Sequence, residues 1–196
     1  MNPGVYPGFT AGIVQVGKPV RTTIYTSGTG TYRPTSTNAW CQITLVGGGG
    51  AGSSGGEGAY SGGAASVFSA FVKLPGPVSY SVGAGGTASA FVQGNNGGNT
   101  TLGAYTATGG AGGRYYNQYT PPAGTYISSG MNGESSPFGN GGRGGTHNSL
   151  TAGAAGGGYG SGGGGGGEVY ASGSLTDFSQ GGAGAGGLII IEDFGP

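Results

Sequence analysis

The chain has 196 residues, 54 of them glycine, and its six basic residues balance six acidic ones. The neutral charge argues against a polyanionic partner such as nucleic acid. The 12 tyrosines, 7 phenylalanines and single tryptophan exceed what disordered chains usually contain, so we predict an ordered protein.

The N-terminal part, residues 1–21, has a composition of its own, with three prolines and few polar side chains. This composition suits an extended arm that lies on another surface. We predict a separate glycine-rich β domain over residues 22–196. No basic region followed by an apolar run opens the sequence, so no secretory signal is predicted.

Short alternating stretches then predict strands. Residues 21–34, RTTIYTSGTGTYRP, predict a hairpin closed by a glycine-containing turn. The next strand is predicted at 41–46, where Cys41 belongs to the alternating apolar set. We expect this cysteine to act as a small buried hydrophobe.

Further strands are predicted downstream, and no segment shows the 3.6-residue period of a helix. Residues 65–74 and 78–82 alternate and are separated by a PG turn. Residues 188–194, LIIIEDF, begin with four aliphatic residues, which suits a central strand buried on both faces. This run is too short to cross a bilayer, and we expect no membrane insertion. The predicted fold is all-β, a small antiparallel sheet or sandwich without helices of note.

Glycine tracts separate the strands. A glycine run can adopt the extended threefold conformation of polyproline II, rising about 3.1 Å per residue. Without Cβ atoms, several such segments can lie side by side and exchange backbone hydrogen bonds. We therefore predict a second layer of packed polyglycine II-like segments, built from residues 47–58, 83–86, 94–98, 109–113, 139–145, 153–167 and 181–187.

Motif matches within the tracts do not indicate an enzyme. The GxGxxG match in 47–52 lacks the helix that a dinucleotide site requires. The GxSxG match in 52–56 lacks the strand–turn–helix of a nucleophile elbow, and glycine is abundant enough for one chance match. His147 and Asp177 could complete a triad on paper, but nothing in their local sequence positions them.

Metal and nucleic-acid motifs are equally weak. His147 is the single histidine and has no cluster of cysteines or carboxylates beside it, so we expect no metal and no cofactor. The GGRGG sequence around Arg143 is similar to one unit of an RNA-binding box. Such boxes act in repeated basic arrays, which this neutral chain lacks.

The segment 114–138 is the most distinctive loop, because it combines five aromatic residues with serine, glycine and asparagine. This composition is typical of adaptable binding surfaces. The alternative is that the tyrosines fill a gap between layers or contact a neighbouring subunit. Two more tyrosines flank the longest glycine tract. The candidate contact residues are Arg114, Tyr115, Tyr116, Asn117, Tyr119, Tyr126, Phe138, Tyr159 and Tyr170.

A set of these segments in this order resembles a known family. YTSGTGTYRP, WCQITLVGGGGAG, AFVKLPGPVSYSVGAGG, FVQGNNGGNTTLGAYTATGGAGG and GGAGAGGLIIIEDF follow one another over about residues 22–194. Together they resemble the glycine-rich domain of bacteriophage tail proteins. The His-x-His motif of metal-binding fibre tips is absent, so the resemblance does not extend to metal-bound trimeric needles.

The resemblance implies a non-enzymatic virion protein of a tail fibre or tail tip, made in the host cytoplasm and acting outside it. It implies that residues 1–21 attach to other tail proteins and that loops between the tracts contact a host receptor. That receptor would be a polysaccharide or an outer-membrane protein. The oligomeric state stays open between a homotrimer and a single cap on a trimeric fibre. The alternative function is a structural cap or decoration protein without receptor contact.

Overall fold

All regular elements of the described chain are β-strands, and this part of the protein contains no helix. The prediction of an all-β fold is therefore confirmed. The computed structural model describes residues 17–54, 59–89, 92–114, 130–146, 151–171 and 174–196, without the side chains of 168–177. The strands are β1 (Arg21–Tyr25), β2 (Thr29–Tyr32), β3 (Ala39–Val46), β4 (Val67–Leu74), β5 (Val78–Ser81), β6 (Thr100–Leu102), β7 (Tyr105–Ala107), β8 (Glu168–Ala171), β9 (Ser174–Phe178) and β10 (Leu188–Gly195).

Two four-stranded antiparallel sheets share one apolar core. The first sheet has the order β1-β10-β3-β4 and the second the order β2-β5-β6-β7, while β8 and β9 form a separate pair. The period-2 alternation correctly predicted which side chains of β3 face the core, since Cys41, Ile43 and Leu45 are fully buried. The core consists of Tyr32, Ala39, Cys41, Ile43, Leu45, Leu74, Val82, Leu102, Ala107, Ile189 and Ile191.

The predicted hairpin over residues 21–34 is wrong. β1 pairs with β10 in the first sheet, whereas β2 pairs with β5 in the second. The chain changes sheets through a turn at Gly28, whose φ of 80° is the left-handed conformation that glycine adopts most readily. Alternation identified both strands, but it carries no information about which strand each one pairs with.

The closing strand is central, as predicted, because β10 lies between β1 and β3. Its burial on both faces is only partly confirmed. Ile189 and Ile191 are fully buried in the core, whereas Ile190 on the opposite face is only half-buried. The outer face of β10 is thus partly accessible, since Ile190 and Glu192 are both of intermediate burial.

The glycine tracts form a second layer, here called the glycine lattice, in which extended segments lie side by side. Two central segments, 47–54 and 161–167, are each surrounded by six others, as in hexagonal packing. The second central segment, SGGGGGG, is buried along its whole length. The lattice consists of residues 47–54, 59–66, 83–89, 92–99, 108–114, 130–136, 139–146, 151–158, 161–167 and 179–187.

Hydrogen bonding in the lattice follows the threefold period of the segments. Along the first central segment, the amides of Gly47, Gly50 and Ser53 donate to segment 59–66. The amides one residue further on donate to 92–99, and those of Gly49 and Gly52 donate to 179–187. The carbonyls of the same segment accept from the remaining three neighbours. Successive amides of this segment thus bond in three directions and its accepting carbonyls bond in three others, which confirms the predicted lateral bonding.

Close approach of the segments explains the need for glycine. A Cβ atom built on Gly49 would lie 1.9 Å from the carbonyl oxygen of Ser161, and one on Gly163 would lie 2.0 Å from that of Gly182. Both obstacles are backbone atoms, which cannot rotate away as a side chain can. The φ angles of these two glycines are outside the positive range, so space rather than backbone conformation excludes larger residues.

Side chains cap the outward amides at the rim of the lattice. Asn99 Oδ1 accepts from the amide of Gly109 at 3.0 Å, and Asn96 Oδ1 accepts from that of Gly112 at 2.8 Å. Asn132 Oδ1 does the same for Gly144 at 2.8 Å. These caps satisfy donors that have no further segment to bond to.

Candidate functional site

The lattice has two different ends. At its sheet end the chain passes directly into strands, since Gly47 follows β3, Ser66 precedes β4 and Gly187 precedes β10. At its distal end the hydrogen-bond ladder finishes near Ser53, Gly113 and the other residues of that level. The described residues that border the gaps at 55–58, 90–91, 115–129 and 147–150 all lie at this distal end.

The N-terminal side of the chain lies at the opposite pole. In the register of β1, Tyr25 pairs with Ile189 next to the lattice, whereas Arg21 pairs with Asp193 at the far end of the sheet. The amide of Val20 continues this ladder by donating to the carbonyl of Asp193 at 2.8 Å. Residues 1–16 of the predicted arm lie outside the described residues. The described part of the arm therefore joins the domain at the pole remote from the distal end.

Two of the predicted contact residues border or follow the distal end. Arg114 is exposed at the last described position of segment 108–114, and Tyr170 belongs to β8, which follows the second central segment directly. Tyr115, Tyr116, Asn117, Tyr119 and Tyr126 lie outside the described residues, and their role stays a prediction.

Phe138 and Tyr159 are at the other end of the lattice. Their backbones form a bridge in which the Tyr159 amide donates to the Phe138 carbonyl at 3.1 Å. This bridge lies beside Gly160, whose amide donates to Gly186 just before β10. Phe138 and Tyr159 therefore lie at the sheet end and Arg114 at the distal end, and the structure does not bring them together. The reason is that successive lattice segments run in opposite directions, so that consecutive turns lie at opposite poles.

Arg114 lines an open groove of about 400 Å³ on the flank of the lattice. Tyr60 and Glu134 line the same groove, together with small residues of segments 59–66 and 108–114. Sequence reasoning missed Tyr60 and Glu134. Residues three apart in a threefold helix lie on one face, so third-residue spacing could have indicated which residues of one segment share a face. It could not indicate which segments meet at the groove, because those segments are distant in sequence.

A buried carboxylate stabilises the pole that the N-terminal arm joins. Asp193 has no exposed surface and accepts from the Tyr32 hydroxyl at 2.9 Å, the Thr35 amide at 2.8 Å and the Thr35 hydroxyl at 2.8 Å. The Gly195 amide donates a fourth bond at 2.9 Å, and Arg21 forms an ion pair at 3.5 Å. Such a set of donors holds a carboxylate in its charged form.

The ionisation of this cluster follows from its contacts. Burial by itself would raise the pKa of Asp193, but the bonds from Thr35, Gly195 and Tyr32 outweigh it and lower the pKa. Burial raises the pKa of the Tyr32 hydroxyl, and it raises the pKa of the Cys41 thiol to about 11. Asp193 is therefore anionic, and Tyr32 and Cys41 are neutral, at neutral pH.

An aromatic group covers part of the outer face of the first sheet near the same pole. The rings of Trp40 and Phe71 stack with centroids 5.2 Å apart, and Phe194 contacts Phe71 edge-on at 5.7 Å. Trp40 and Phe71 are each 42% exposed, although large aromatic side chains are usually well buried. Lys73 lies 5.8 Å from the centre of the Trp40 ring.

The described residues contain no group of three or more histidine, cysteine or carboxylate side chains that could hold a metal ion. They also contain no helix long and apolar enough to cross a membrane.

Comparison with known families decides the classification. A family described as "Glycine-rich domain" matches residues 25–163, more than half of the chain. The chain belongs to this glycine-rich domain family. The match begins at the last residue of β1 and includes nine lattice segments in whole or in part. No curated protein matches the chain.

Proposed function

We propose that this glycine-rich domain protein is a non-enzymatic component of a bacteriophage tail fibre or tail tip. In this proposal it is carried on the virion and binds the host cell surface with its distal end. One observation carries the proposal: the arm side and the loop-bearing side of the molecule lie at opposite poles of one hydrogen-bonded frame.

The frame suits a binding role because it is rigid. Two central segments are bonded in six directions, so the ends from which the connecting segments start are fixed relative to one another. Residues presented from such a frame lose little further conformational freedom on binding, which leaves more of the contact energy for affinity. A polar, tyrosine-rich composition at 115–129 fits contacts with a polysaccharide or an outer-membrane protein.

Attachment to the tail is assigned to the opposite pole. There Arg21 and Val20 hold the base of the arm to β10 through the Asp193 ion pair and a backbone hydrogen bond. A load transmitted along the arm would therefore reach the central strand of the first sheet. Other tail or fibre proteins are the partners proposed for this pole.

The test is adsorption of the purified, fluorescently labelled protein to a panel of bacterial strains. We expect binding to some strains only, and its loss in the triple variant Tyr115→Ser, Tyr116→Ser, Tyr119→Ser. The matched control is Tyr159→Ser, which removes a tyrosine at the sheet end and should leave adsorption unchanged. A folded protein that binds no strain, or a triple variant that adsorbs normally, would contradict the proposal.

The second candidate is a structural cap or decoration protein, and the exposed aromatic group at Trp40 and Phe71 favours it. An exposed stack of this kind is typical of a surface that packs against another protein. A cap predicts that Phe71→Ser abolishes incorporation into tails, while the triple tyrosine variant assembles normally. Under the receptor-binding proposal, the triple variant also assembles but yields particles that no longer adsorb.

A further inference from the structure

The flank of the lattice carries a groove that the predicted loops do not explain. It crosses segments 59–66 and 108–114 and has an open volume of about 400 Å³. Small residues make up most of its lining. The lining residues are Tyr60, Ser61, Gly63, Ala111, Gly112, Gly113, Arg114 and Glu134.

We propose that this groove binds a short stretch of a neutral saccharide chain. The inference deepens the proposed function, on which it rests, by naming the class of receptor. It assigns the ring of Tyr60 to an apolar sugar face, and Arg114 and Glu134 to the sugar hydroxyls. Ligand sites of this kind combine a concave surface with a few polar groups that fix the orientation of the ligand.

The backbone of the groove is held in place before any ligand binds. The Tyr60 carbonyl accepts from the Ser53 amide at 2.8 Å and from the Ser53 hydroxyl at 3.1 Å. The Gly63 amide donates to the Ala111 carbonyl at 2.8 Å, which joins the two segments that form the floor. Binding therefore requires little ordering of the main chain, which favours affinity for weakly interacting ligands such as sugars.

The polar side chains supply both kinds of hydrogen-bonding group. Arg114 offers only donors and Glu134 only acceptors, and sugar hydroxyls can act as either. The two charges are opposite, so the described lining of the groove carries no net charge that would favour an acidic or a basic ligand. Within the described residues, neither side chain forms an ion pair, and both are exposed. A neutral pyranose chain matches this balance better than a uronic or sialic acid.

Tyr60 supplies the apolar contact. It is 39% exposed, although it belongs to a segment bonded to a fully buried one. Tyrosine combines a flat apolar face with a polar tip, which suits the C–H faces and hydroxyl rims of pyranose rings. Arg114 and Ala111, three residues apart in a segment with a threefold period, both line this groove.

Glu134 also has a structural contact, which any test must separate from binding. Its Oε2 accepts from the Ala64 amide at 3.0 Å and so caps the rim of the lattice. Glu134→Gln keeps an acceptor for this amide but replaces the other acceptor with a donor. The variant should therefore fold and weaken saccharide binding, whereas loss of the cap alone would lower stability without a specific effect on binding.

The experiment measures retention of the full chain on immobilised neutral polysaccharides (dextran, mannan and chitin oligomers), with polygalacturonate as the acidic comparison. We expect retention on at least one neutral matrix, reduced about tenfold or more in Tyr60→Ala, Arg114→Ala and Glu134→Gln. The control Arg143→Ala removes an exposed cation from segment 139–146, outside the groove, and should bind as the wild type does. Retention is compared only among variants whose unfolding midpoint equals that of the wild type.

The results separate this inference from the proposed function. No retention on any neutral matrix, or equal retention of the groove variants and Arg143→Ala, would overturn the saccharide groove. Preferential retention on polygalacturonate would overturn its neutral specificity. If cell adsorption persists under those results, the proposed function stands without the groove, whereas loss of adsorption in the wild type would refute the proposed function itself.

Discussion

The amide of Gly163 donates a 2.9 Å hydrogen bond to the carbonyl oxygen of Gly50, and this bond joins the two central segments of the lattice. Every other lattice segment is a neighbour of one or both of them. The stability of the layer therefore depends on how closely these two backbones can approach their surroundings.

Gly163→Ala should destabilise the protein strongly, because its Cβ would lie 2.0 Å from the Gly182 carbonyl oxygen. We expect a loss of about 3 kcal/mol or more in the free energy of unfolding, at or above the upper end for overpacked interiors. Gly186→Ala is the matched control, since nothing lies within 4 Å of its Cβ. It should be neutral or stabilising by about 0.4–1 kcal/mol, since alanine restricts the unfolded chain. Urea denaturation checks both, and equal effects would refute the packing argument.

Thr100 connects the lattice with the sandwich and should be sensitive to loss of its hydroxyl. The buried Oγ1 donates to the Val46 carbonyl at 2.6 Å and accepts from the Gly83 amide at 2.9 Å. Thr100→Val keeps the shape but leaves both groups without this partner, so we expect a loss of about 1–3 kcal/mol. Thr101→Val, next to it and less buried, is the control. Thermal unfolding would contradict the prediction if the two variants had the same midpoint.

Acidification should destabilise the pole around Asp193. Its pKa is lowered in the folded state, so folding is favoured above the ordinary carboxyl pKa of about 3.9. That contribution is lost as the pH falls through the lowered folded value. Denaturation between pH 7 and pH 2 should show a decline that Asp193→Asn lacks and Glu192→Gln retains. Identical pH profiles for the wild type and Asp193→Asn would show that another group controls acid unfolding.

Cys41 should report the opening of the sandwich. The thiol is fully buried, and its raised pKa of about 11 keeps it protonated at pH 8. Because thiolate is the reactive form, we expect a disulfide reagent to label Cys41 more slowly in the native protein than in the protein unfolded in urea, by a factor of at least about a thousand. Timed absorbance measurements check this. Rapid labelling of the native protein would mean that β3 opens locally.

The sequence predicted strands better than it predicted their partners. Cys41, Ile43 and Leu45 alternate in a way that only a half-buried strand explains, and the structure buries all three. β1 and β2 were correctly identified but wrongly paired, because Ile24 pairs with Ile190 from the far end of the chain. Nothing within a local window of sequence encodes such a partner.

The sequence predicted that packed glycine segments form a layer, but it did not predict which segments are neighbours in that layer. Composition implied packed extended segments, but no glycine register extends through the chain, and the period of three is visible only within a tract. Asn96 and Asn99 show this period, because they are three residues apart and both cap amides of the same neighbouring segment. Which segment becomes central depends on all the others together, and no single tract carries that information.

Only part of the candidate site could be predicted, because the sequence does not show which lattice segments are neighbours. Arg114 was identified from a loop with an unusual composition, and the structure places it in a groove. Tyr60 lies outside that loop, and Glu134, although it lies within it, is not one of the aromatic residues that distinguish the loop. They meet Arg114 only because segments 59–66, 108–114 and 130–136 are brought to one flank of the lattice.

The asparagine caps at the rim have a consequence for solubility. Bare polyglycine strands of this conformation would offer free amides to any further strand, and growth would continue sideways without limit. Here the side-chain oxygens of Asn96, Asn99 and Asn132 accept from three such amides, which are therefore not available to an incoming chain. Among the described residues of this protein, which is more than a quarter glycine, lateral packing thus ends at these capped positions after ten segments.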